Sequence, residues 1–293
     1  MSAASPAPTT GAGAGSSNRR AVARFCWPAV TWLPVLGVVA WAQSFGDGVH
    51  TSIPAPGLGA LGAARGGLTS PLAGALATLG VSADEVGVIS KHDTSTRAND
   101  PNESELHERL ASAIGRSEGA PLFVVSQKSL TGHAKGGAAA FQLIGLCQVL
   151  RDGVIPPNRS LDCVDEKMQE YPHLVWARDT LHLGERFPLK AGLLTSLGFG
   201  HVSGLIAVVH PEAFVATLDP AVADDYRERA AERERLGNQR LLDAMCGGEA
   251  AYTRPSGRRF DADRDEHDAE SELLLDTSAR LGASGAYGVG SVR

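Results

Sequence analysis

Residues 121–150 read PLFVVSQKSLTGHAKGGAAAFQLIGLCQVL, and this stretch decides the fold class. It opens with PLFVVSQ, a short apolar run rich in strand-forming residues, which predicts a buried strand. From Gly136 to Leu150 small and apolar residues continue for long enough to predict a helix. A strand that leads into a helix through a polar loop with glycines is typical of a layered α/β domain.

The segments on both sides repeat this alternation of strands and helices. Leu106, Leu110 and Ile114 are spaced four residues apart, which predicts an amphipathic helix over 102–114. The resulting order of strand, helix, strand, helix and two further strands favours a layered α/β domain. The remaining predicted elements are a short helix near 71–79 and strands at VGVISKH (86–92), AGLLTSL (191–197) and GLIAVVH (204–210).

The composition excludes several classes of protein. Among 293 residues, 27 Lys and Arg against 33 Asp and Glu give a formal charge of −6, which argues against a nucleic-acid partner. Hydrophobic residues make up 43% of the chain, enough to bury a core. The four cysteines are far apart and form no CxxC pair, and no HxxxH or HExxH motif occurs. We therefore expect neither a disulfide scaffold nor a metal site, and the free thiols fit a reducing compartment.

The N-terminal residues differ in character from the α/β segment. Residues 1–18 hold no large apolar side chain after Met1 and predict a disordered tail. Residues 25–42, FCWPAVTWLPVLGVVAWA, carry no charge and follow three arginines, in the manner of a signal peptide or a membrane span. Pro28 and Pro34 would interrupt such a helix, which leaves a buried or misjoined apolar segment as the favoured interpretation.

The C-terminal quarter is strongly charged. The stretch AVADDYRERAAERERLGNQRLLDAM (221–245) interleaves Glu and Arg and predicts a solvated or partner-facing helix. Residues 247–293 are glycine-rich and acidic, and we expect a loosely ordered tail. These changes in composition divide the chain into a tail with an apolar segment (1–41), an α/β domain (42–218), and a charged helix with its tail (219–293).

Three polar clusters follow predicted strands, where α/β folds usually place their chemistry. The first is KHDTST (91–96), with Asp100 and Glu103 a few residues further on. The hydroxyls of Thr94 and Thr96 can donate to a carbonyl or amide of a ligand. The same residues could instead form a turn that caps the following helix, so both interpretations stay open.

The second cluster is QKSLTGHAKGG (127–137), which connects a predicted strand to a predicted helix. Lys128 can hold a negative charge or orient a nearby imidazole such as His133. The alternative is a phosphate-type loop or the simple start of a helix, although the GxxxxGK[ST] pattern of a Walker A loop is absent.

The third cluster is TSLGFGHVSG (195–204), in which Gly198 and Gly200 flank Phe199. The glycines let the backbone turn and the ring lie against a cavity, although a β-turn with a buried phenylalanine would look the same. If His92 and His133 converge, each neutral imidazole could donate an N–H to an enolate or oxyanion, or act as a base.

On these motifs the chain resembles the C-terminal half of a β-ketoacyl synthase, the condensing enzyme of fatty acid synthesis. Residues 92–96 are similar to the family's His-Gly-Thr-Gly-Thr element, residues 128–133 to its Lys-Ser-x-x-Gly-His element, and residues 198–200 to its Gly-Phe-Gly turn. The phrases KHDTSTRANDPNESELH and NRSLDCVD are most similar to the large type I synthases of actinobacteria and fungi.

The resemblance implies a thiolase-like fold of layered helices and sheets and a two-stage acyltransferase reaction. In that family a cysteine thiolate takes an acyl chain from a carrier thioester, and two histidines then assist decarboxylation of a malonyl thioester. By position, His92 and His133 take those roles and Lys128 sets the charge and orientation of the neighbouring imidazole. The resemblance further implies that Thr94 and Thr96 bind the pantetheine arm and that Phe199, between Gly198 and Gly200, gates the acyl pocket.

The same resemblance implies the partners of the chain. They are an acyl carrier protein, malonyl and acyl thioesters carried on phosphopantetheine, and a second copy of the chain or a larger synthase complex. No further cofactor, no nucleic acid and no membrane partner are expected, and the expected location is the cytoplasm.

The sequence departs from the family pattern in ways that bear on activity. Asp93 and Ser95 replace glycines, and His201 follows the Gly-Phe-Gly turn where many members have glycine. The nucleophilic cysteine belongs to the N-terminal half of the fold, and none of the chain's cysteines has that setting. We therefore expect a partial chain that is active only with a separate cysteine-bearing chain, a non-catalytic interaction module, or a membrane-tethered fragment. The four cysteines are Cys26, Cys147, Cys163 and Cys246.

Overall fold

A computed structural model of the chain describes residues 33–47, 59–184, 187–198, 200–248, 279–281 and 287–289. Residues 1–233 and 234–293 fall into two compact units. The described strands are β1 (Val38–Gly46), β2 (Val86–Ser90), β3 (Leu122–Val125), β4 (Val154–Ile155), β5 (Leu174–Trp176), β6 (Leu181–His182), β7 (Ala191–Gly198), β8 (Val202–Val209), β9 (Ala279–Leu281) and β10 (Tyr287–Val289). The described α-helices are α1 (Pro71–Thr78), α2 (Asn99–Ala113), α3 (Lys128–Thr131), α4 (Ala138–Asp152), α5 (Glu166–Gln169), α6 (Glu212–Val215) and α7 (Pro220–Met245).

Six strands of the first unit form one mixed sheet in the order β1–β8–β7–β2–β3–β5. Strands β7, β2, β3 and β5 run parallel, whereas β8 is antiparallel to its neighbours β1 and β7. Strands β4 and β6 pair separately, as do β9 and β10. Because β7, β2 and β3 are parallel neighbours, their carboxyl ends lie along the same edge of the sheet.

Helices cover both faces of this sheet. Successive side chains of a strand point to opposite faces, so Leu205 and Ala207 of β8 enter one apolar cluster and Ile206 and Val208 enter another. The first cluster contains leucines of α1 and α2, and the second contains leucines of α4. The result is a helix–sheet–helix arrangement, which confirms the expected α/β class with thiolase-like layering.

Helix α4 packs very closely against the sheet. A Cβ atom at Gly192 of β7 would lie 2.6 Å from the Leu146 side chain of α4 and 3.0 Å from the Val88 carbonyl of β2. The absence of a side chain at this position therefore sets how near the helix approaches. The helix ends at Gly153, whose φ of 62° lies in the left-handed region that glycine adopts without strain.

Within the described residues the predicted elements of the α/β domain are present, each with boundaries within three residues of the expected ones. Leu106, Leu110 and Ile114 are all buried, as the prediction of an amphipathic helix requires. The charged helix is also present, as α7, and its polar side chains are largely exposed.

Strand β1 was not expected from the sequence. Residues 38–42 belong to the apolar run that imitates a membrane segment, yet they lie in an extended strand that pairs with β8 through Val38 and Val209. This strand begins at Val38, before residue 42, where the sequence placed the start of the domain. The run could not be recognised as a strand from its own residues, because its partner β8 lies almost at the other end of the domain. Within the described residues no helix is both long and apolar enough to cross a membrane. Residues 1–32 and most of 249–293 lie outside the described ranges.

Candidate active site

The sheet brings the three polar clusters to one edge. His92 follows β2, Lys128 and His133 follow β3, and Gly198 ends β7. These are the three parallel neighbours in the middle of the sheet. A rigid sheet therefore positions loops that are far apart in sequence, as α/β folds do at the carboxyl ends of their strands.

The imidazoles of His92 and His133 lie edge to face. Their ring centroids are 5.2 Å apart and the ring planes meet at 83°. His92 is buried, with 7% of its surface exposed, while His133 is exposed. The Lys128 ammonium lies 3.2 Å from His92 Nδ1 and also donates to the His92 carbonyl. Two imidazoles and one ammonium group thus form a single cluster.

Hydrogen bonds determine which ring nitrogen carries the proton. The Lys128 ammonium can only donate, so His92 Nδ1 accepts and the proton of the neutral ring lies on Nε2. The backbone N–H of Lys135 donates to His133 Nδ1 at 3.1 Å, which leaves the proton of that ring on Nε2 as well. Both neutral imidazoles therefore have an Nε2–H available for an external acceptor.

Charge and burial keep these rings neutral. Burial lowers the pKa of His92 to about 4, and the charge of Lys128 acts in the same direction. The pKa of His133 is lowered by desolvation first and by Lys128 and Lys135 next. Desolvation also lowers the pKa of Lys128. At neutral pH His92 is accordingly a hydrogen-bond donor without a positive charge.

Glu103 holds the loop that carries His92. Its carboxylate accepts from the backbone N–H groups of His92 at 2.5 Å and Asp93 at 2.8 Å, and from Asn99 Nδ2 at 3.1 Å. The Thr195 hydroxyl on β7 donates to the same carboxylate. Glu103 is 1% exposed, and these donors compensate for the burial of its charge. Glu103 could be identified from the sequence only as part of a motif. Its contact with Thr195 could not be predicted, because the two residues are 92 positions apart.

Gln142 is a site residue that the sequence did not single out. Its side chain is fully buried, and its Nε2 donates to the carbonyls of Lys91 at 2.8 Å and Thr195 at 3.0 Å. Its Oε1 accepts from Lys128 at 3.3 Å. Gln142 therefore joins β2, β7 and Lys128 from helix α4. The only signal in the sequence was an amide within an otherwise apolar run.

Left-handed backbone is concentrated at this edge of the sheet. Asp93 (φ 43°), Ser95 (φ 57°), Lys135 (φ 51°) and His201 (φ 62°) all carry side chains in a region that favours glycine. Three of them stand where the resemblance led us to expect glycine. Each such residue costs about 1–3 kcal/mol and persists where the surroundings hold it, as they often do at functional sites.

The other predicted binding residues lie in the loop after β2 and at or just after the end of β7, and the structure describes all of them except Phe199. The hydroxyls of Thr94 and Thr96 are 3.3 Å apart, and Thr96 Oγ1 accepts from the backbone N–H of Asn99 at the start of α2. Thr96 thus contacts the first residue of α2, and its ligand-binding role stays a prediction. Gly200 has a φ of 93°, and Phe199 lies outside the described residues.

The described cysteines are not part of this cluster. Cys147 is half-buried on helix α4, and burial raises the pKa of its thiol. Cys163 and Cys246 are exposed, and Cys26 lies outside the described residues. Among the described residues no cysteine has a hydrogen bond to either imidazole, and no group of three or more His, Cys, Asp or Glu is placed to hold a metal ion.

Replacing Glu103 by glutamine is expected to destabilise the chain by about 2–4 kcal/mol, because an amide turns an N–H toward groups that all donate. Thermal unfolding of the two proteins measures this. The matched control is Glu105→Gln, which removes an exposed carboxylate that pairs with Arg109 at 3.2 Å and should change the stability by less than about 1 kcal/mol. Equal unfolding temperatures for Glu103→Gln and the unaltered chain would contradict the central place given to Glu103.

Comparison with known proteins identifies similar chains. Residues 36–162 match the family described as β-ketoacyl synthase, C-terminal domain. Fatty acid synthase 2 of Mycosarcoma maydis is 36% identical over 256 residues, which cover 87% of this chain and 7% of that protein. Fatty acid synthase subunit alpha of Aspergillus oryzae is 42% identical over 166 residues, or 57% of this chain and 9% of that protein. The chain thus spans less than a tenth of the length of these two relatives.

A solved structure shows the same fold. The ketosynthase FabY from P. aeruginosa superposes with a TM-score of 0.66 over 92% of this chain and 40% of that chain, at 22% identity. At this level of identity the comparison concerns the fold alone. It agrees with the mixed six-stranded sheet and its layers of helices.

Proposed function

We propose, from the match of residues 36–162 to the β-ketoacyl synthase C-terminal domain family, that the chain supplies the decarboxylating half of a condensing site in fatty acid synthesis. The activity would be that of a 3-oxoacyl-[acyl-carrier-protein] synthase, an acyltransferase. The observation that carries the proposal is the pair of neutral imidazoles, His92 and His133, with both Nε2–H groups free to donate.

The proposed reaction begins with a malonyl thioester whose carbonyl oxygen accepts from both Nε2–H groups. The bond between the methylene carbon and the carboxylate breaks, CO₂ leaves, and the electron pair moves into an enolate. Two donors aimed at one oxygen stabilise the negative charge that develops there. The enolate carbon then attacks the carbonyl carbon of the acyl group held as a thioester on the nucleophilic cysteine, a new carbon–carbon bond forms, the carbon–sulfur bond breaks, and the cysteine thiolate departs.

Lys128 supports this step without touching the substrate. Its ammonium occupies His92 Nδ1 and so keeps the His92 proton on Nε2. Its charge also opposes protonation of the ring, which would remove the neutral donor.

The substrate and carrier assignments extend the same proposal. Thr94 and Thr96 would hydrogen-bond a pantetheine arm that an acyl carrier protein presents, and Phe199 would gate the acyl chain. The hydroxyls of the two threonines lie in the same loop as His92, at the edge of the sheet where the imidazoles meet. Fatty acid synthase relatives cover most of this chain, which supports a carrier-bound substrate.

The proposal assigns the nucleophilic cysteine to a second, cysteine-bearing ketosynthase segment. None of the described cysteines accompanies the imidazoles, and the half-buried thiol of Cys147 has a raised pKa, which disfavours the reactive thiolate. His133 is exposed in the chain, which leaves the side of the site that faces it open to such a segment.

We expect the purified chain to form no acyl-enzyme when it is incubated with an acyl thioester. Intact-mass spectrometry checks this directly, because a thioester adds the mass of the acyl group. A complementing ketosynthase half with its cysteine should acquire that mass under the same conditions. An acyl group found on any cysteine of this chain would overturn the assignment of the nucleophile.

An interaction module without catalysis is the second candidate function. Phe141 and Ile144 on helix α4 are 46% and 67% exposed, so an apolar stripe of the helix is uncovered. The decarboxylation assay separates the two functions. CO₂ release from malonyl thioester in the mixture of the two halves supports the condensing site, whereas binding of the halves without CO₂ release supports the interaction module.

A further inference from the structure

A buried chain of hydrogen bonds extends from helix α2 to the loop that carries His92. His107 lies one helical turn after Glu103, so the two side chains share a face of α2. His107 Nε2 lies 3.0 Å from Thr195 Oγ1, and the Thr195 hydroxyl donates to Glu103. All three side chains are at most 1% exposed.

The direction of the chain follows from counting protons. The Thr195 hydroxyl has a single proton, which it gives to Glu103, so it must accept from His107. Within the described part of the chain His107 Nδ1 has no hydrogen-bond partner, and burial lowers the pKa of the ring to about 3 with Lys91 acting in the same direction. The ring is therefore neutral, with its proton on Nε2 and directed at Thr195.

An imidazole is an unfavourable choice for this position on packing grounds alone. The unpartnered Nδ1 is buried, and a buried polar atom without a partner costs free energy that an apolar residue of similar size would avoid. What distinguishes histidine here is the Nε2–H bond to Thr195. That bond leaves the threonine hydroxyl oriented so that its own proton meets the Glu103 carboxylate.

We propose that His107 is a positioning residue that acts through Thr195 to fix the Glu103 carboxylate and, with it, the backbone on which His92 is carried. The Glu103 carboxylate receives the N–H groups of both His92 and Asp93, so its orientation sets where the His92 ring meets Lys128 and His133. The catalytic consequence rests on the proposed function, whereas the placement of the ring does not.

The test labels the full chain with ¹⁵N-histidine and follows the ring nitrogens of His92 by NMR. In the unaltered chain His92 Nδ1 should show the signal of a hydrogen-bonded acceptor and Nε2 that of a protonated nitrogen. His107→Phe removes the donor and keeps a ring, and Thr195→Val removes the hydroxyl and keeps the shape. Both should shift the His92 signals toward a mixture of tautomers.

Conservative variants separate positioning from packing. The amide of His107→Gln can place an N–H near the position of Nε2, and Thr195→Ser retains the hydroxyl. Both variants should therefore show the His92 signals of the unaltered chain. Unshifted His92 signals in a folded His107→Phe or Thr195→Val would overturn the proposal. So would a His107→Gln that is as disturbed as His107→Phe. If both donor-removing variants fail to fold, the outcome is decided by His107→Gln and Thr195→Ser, which must retain the His92 signals for the proposal to stand.

Activity gives a separate readout. In the mixture with a cysteine-bearing half, His107→Phe should lower kcat for malonyl decarboxylation roughly tenfold and leave KM unchanged, because a displaced imidazole affects the reacting geometry more than binding. His107→Gln should retain most of the rate. If the unaltered mixture releases no CO₂ while the NMR shifts follow the expected pattern, the proposed function fails and the positioning role of His107 stands.

Discussion

Replacing His133 by alanine is expected to lower the rate of malonyl-thioester decarboxylation by about 100-fold or more in a mixture of this chain with a cysteine-bearing ketosynthase half. The loss follows from removing one of the two N–H donors that we propose bind the enolate oxygen, where one donor is typically worth about 10²–10³ in rate. Release of CO₂ from the malonyl thioester measures it. His133 is exposed, so the chain should fold normally without the ring.

The matched control for this experiment is His182→Ala. His182 is an exposed histidine on β6, which does not belong to the sheet that carries the site, and its loss should leave the rate unchanged. An undiminished rate in His133→Ala would remove this residue from the mechanism. Equal losses in both variants would point to general damage rather than to a missing donor.

Replacing Lys128 by methionine is expected to lower the rate by about 100-fold and to change its dependence on pH. Without the ammonium group His92 Nδ1 loses its donor, and the ring proton is no longer held on Nε2. One of the causes that lower the pKa of His92 also disappears, so the pKa rises from about 4 toward its ordinary value. Burial remains as the largest cause and limits that rise.

The sign of the pH effect follows from these shifts. In the unaltered chain His92 stays neutral well below pH 6, so its protonation should not reduce the rate between about pH 5.5 and 8. In Lys128→Met the ring becomes charged at a higher pH than in the unaltered chain, so the decline of the rate on acidification should begin at a higher pH. A histidine NMR titration gives the pKa of His92 in both proteins, and Lys167→Met, at an exposed lysine of α5, is the control. A pKa of His92 that does not change in Lys128→Met contradicts this account of the lysine.

Local patterns were sufficient to predict the elements that position the site. The four-residue spacing of leucines on α2 and the apolar runs of β2, β3 and β7 each depend on neighbouring residues alone. The polar loops that follow these strands could be assigned to one edge because parallel strands end together. The sequence left the convergence of His92 and His133 conditional, and the parallel pairing of β2 with β3 brings the two residues together.

Long-range contacts explain what the sequence did not predict. In the sequence β1 is only an uncharged run. Its identity as a strand depends on pairing with β8, whose residues follow more than 150 positions later. The partners of Glu103 and Gln142 lie on other strands, with Thr195 separated from Glu103 by 92 residues. A glutamine inside an apolar helix gives no local sign that its amide joins two strand ends and a lysine.

Three residues with left-handed backbone stand where the resemblance implies glycine. At Asp93, Ser95 and His201 the sequence departs from a glycine pattern, and each of these residues keeps a backbone angle suited to glycine. At Asp93 the compensation is visible, because Glu103 holds its N–H and Lys91 Nζ lies 3.5 Å from its carboxylate. These two contacts thus support the left-handed backbone at Asp93.

The central claim is that His92 and His133 together bind one thioester carbonyl, and NMR of the ¹⁵N-histidine chain tests it most directly. The probe is a malonyl-pantetheine analogue with a methylene group in place of the thioester sulfur, so that decarboxylation does not obscure binding. The account predicts that the analogue shifts the Nε2 signals of both His92 and His133, and leaves those of His173 and His182 unchanged. Saturating analogue that shifts neither signal, or only one of the two, would contradict the claim.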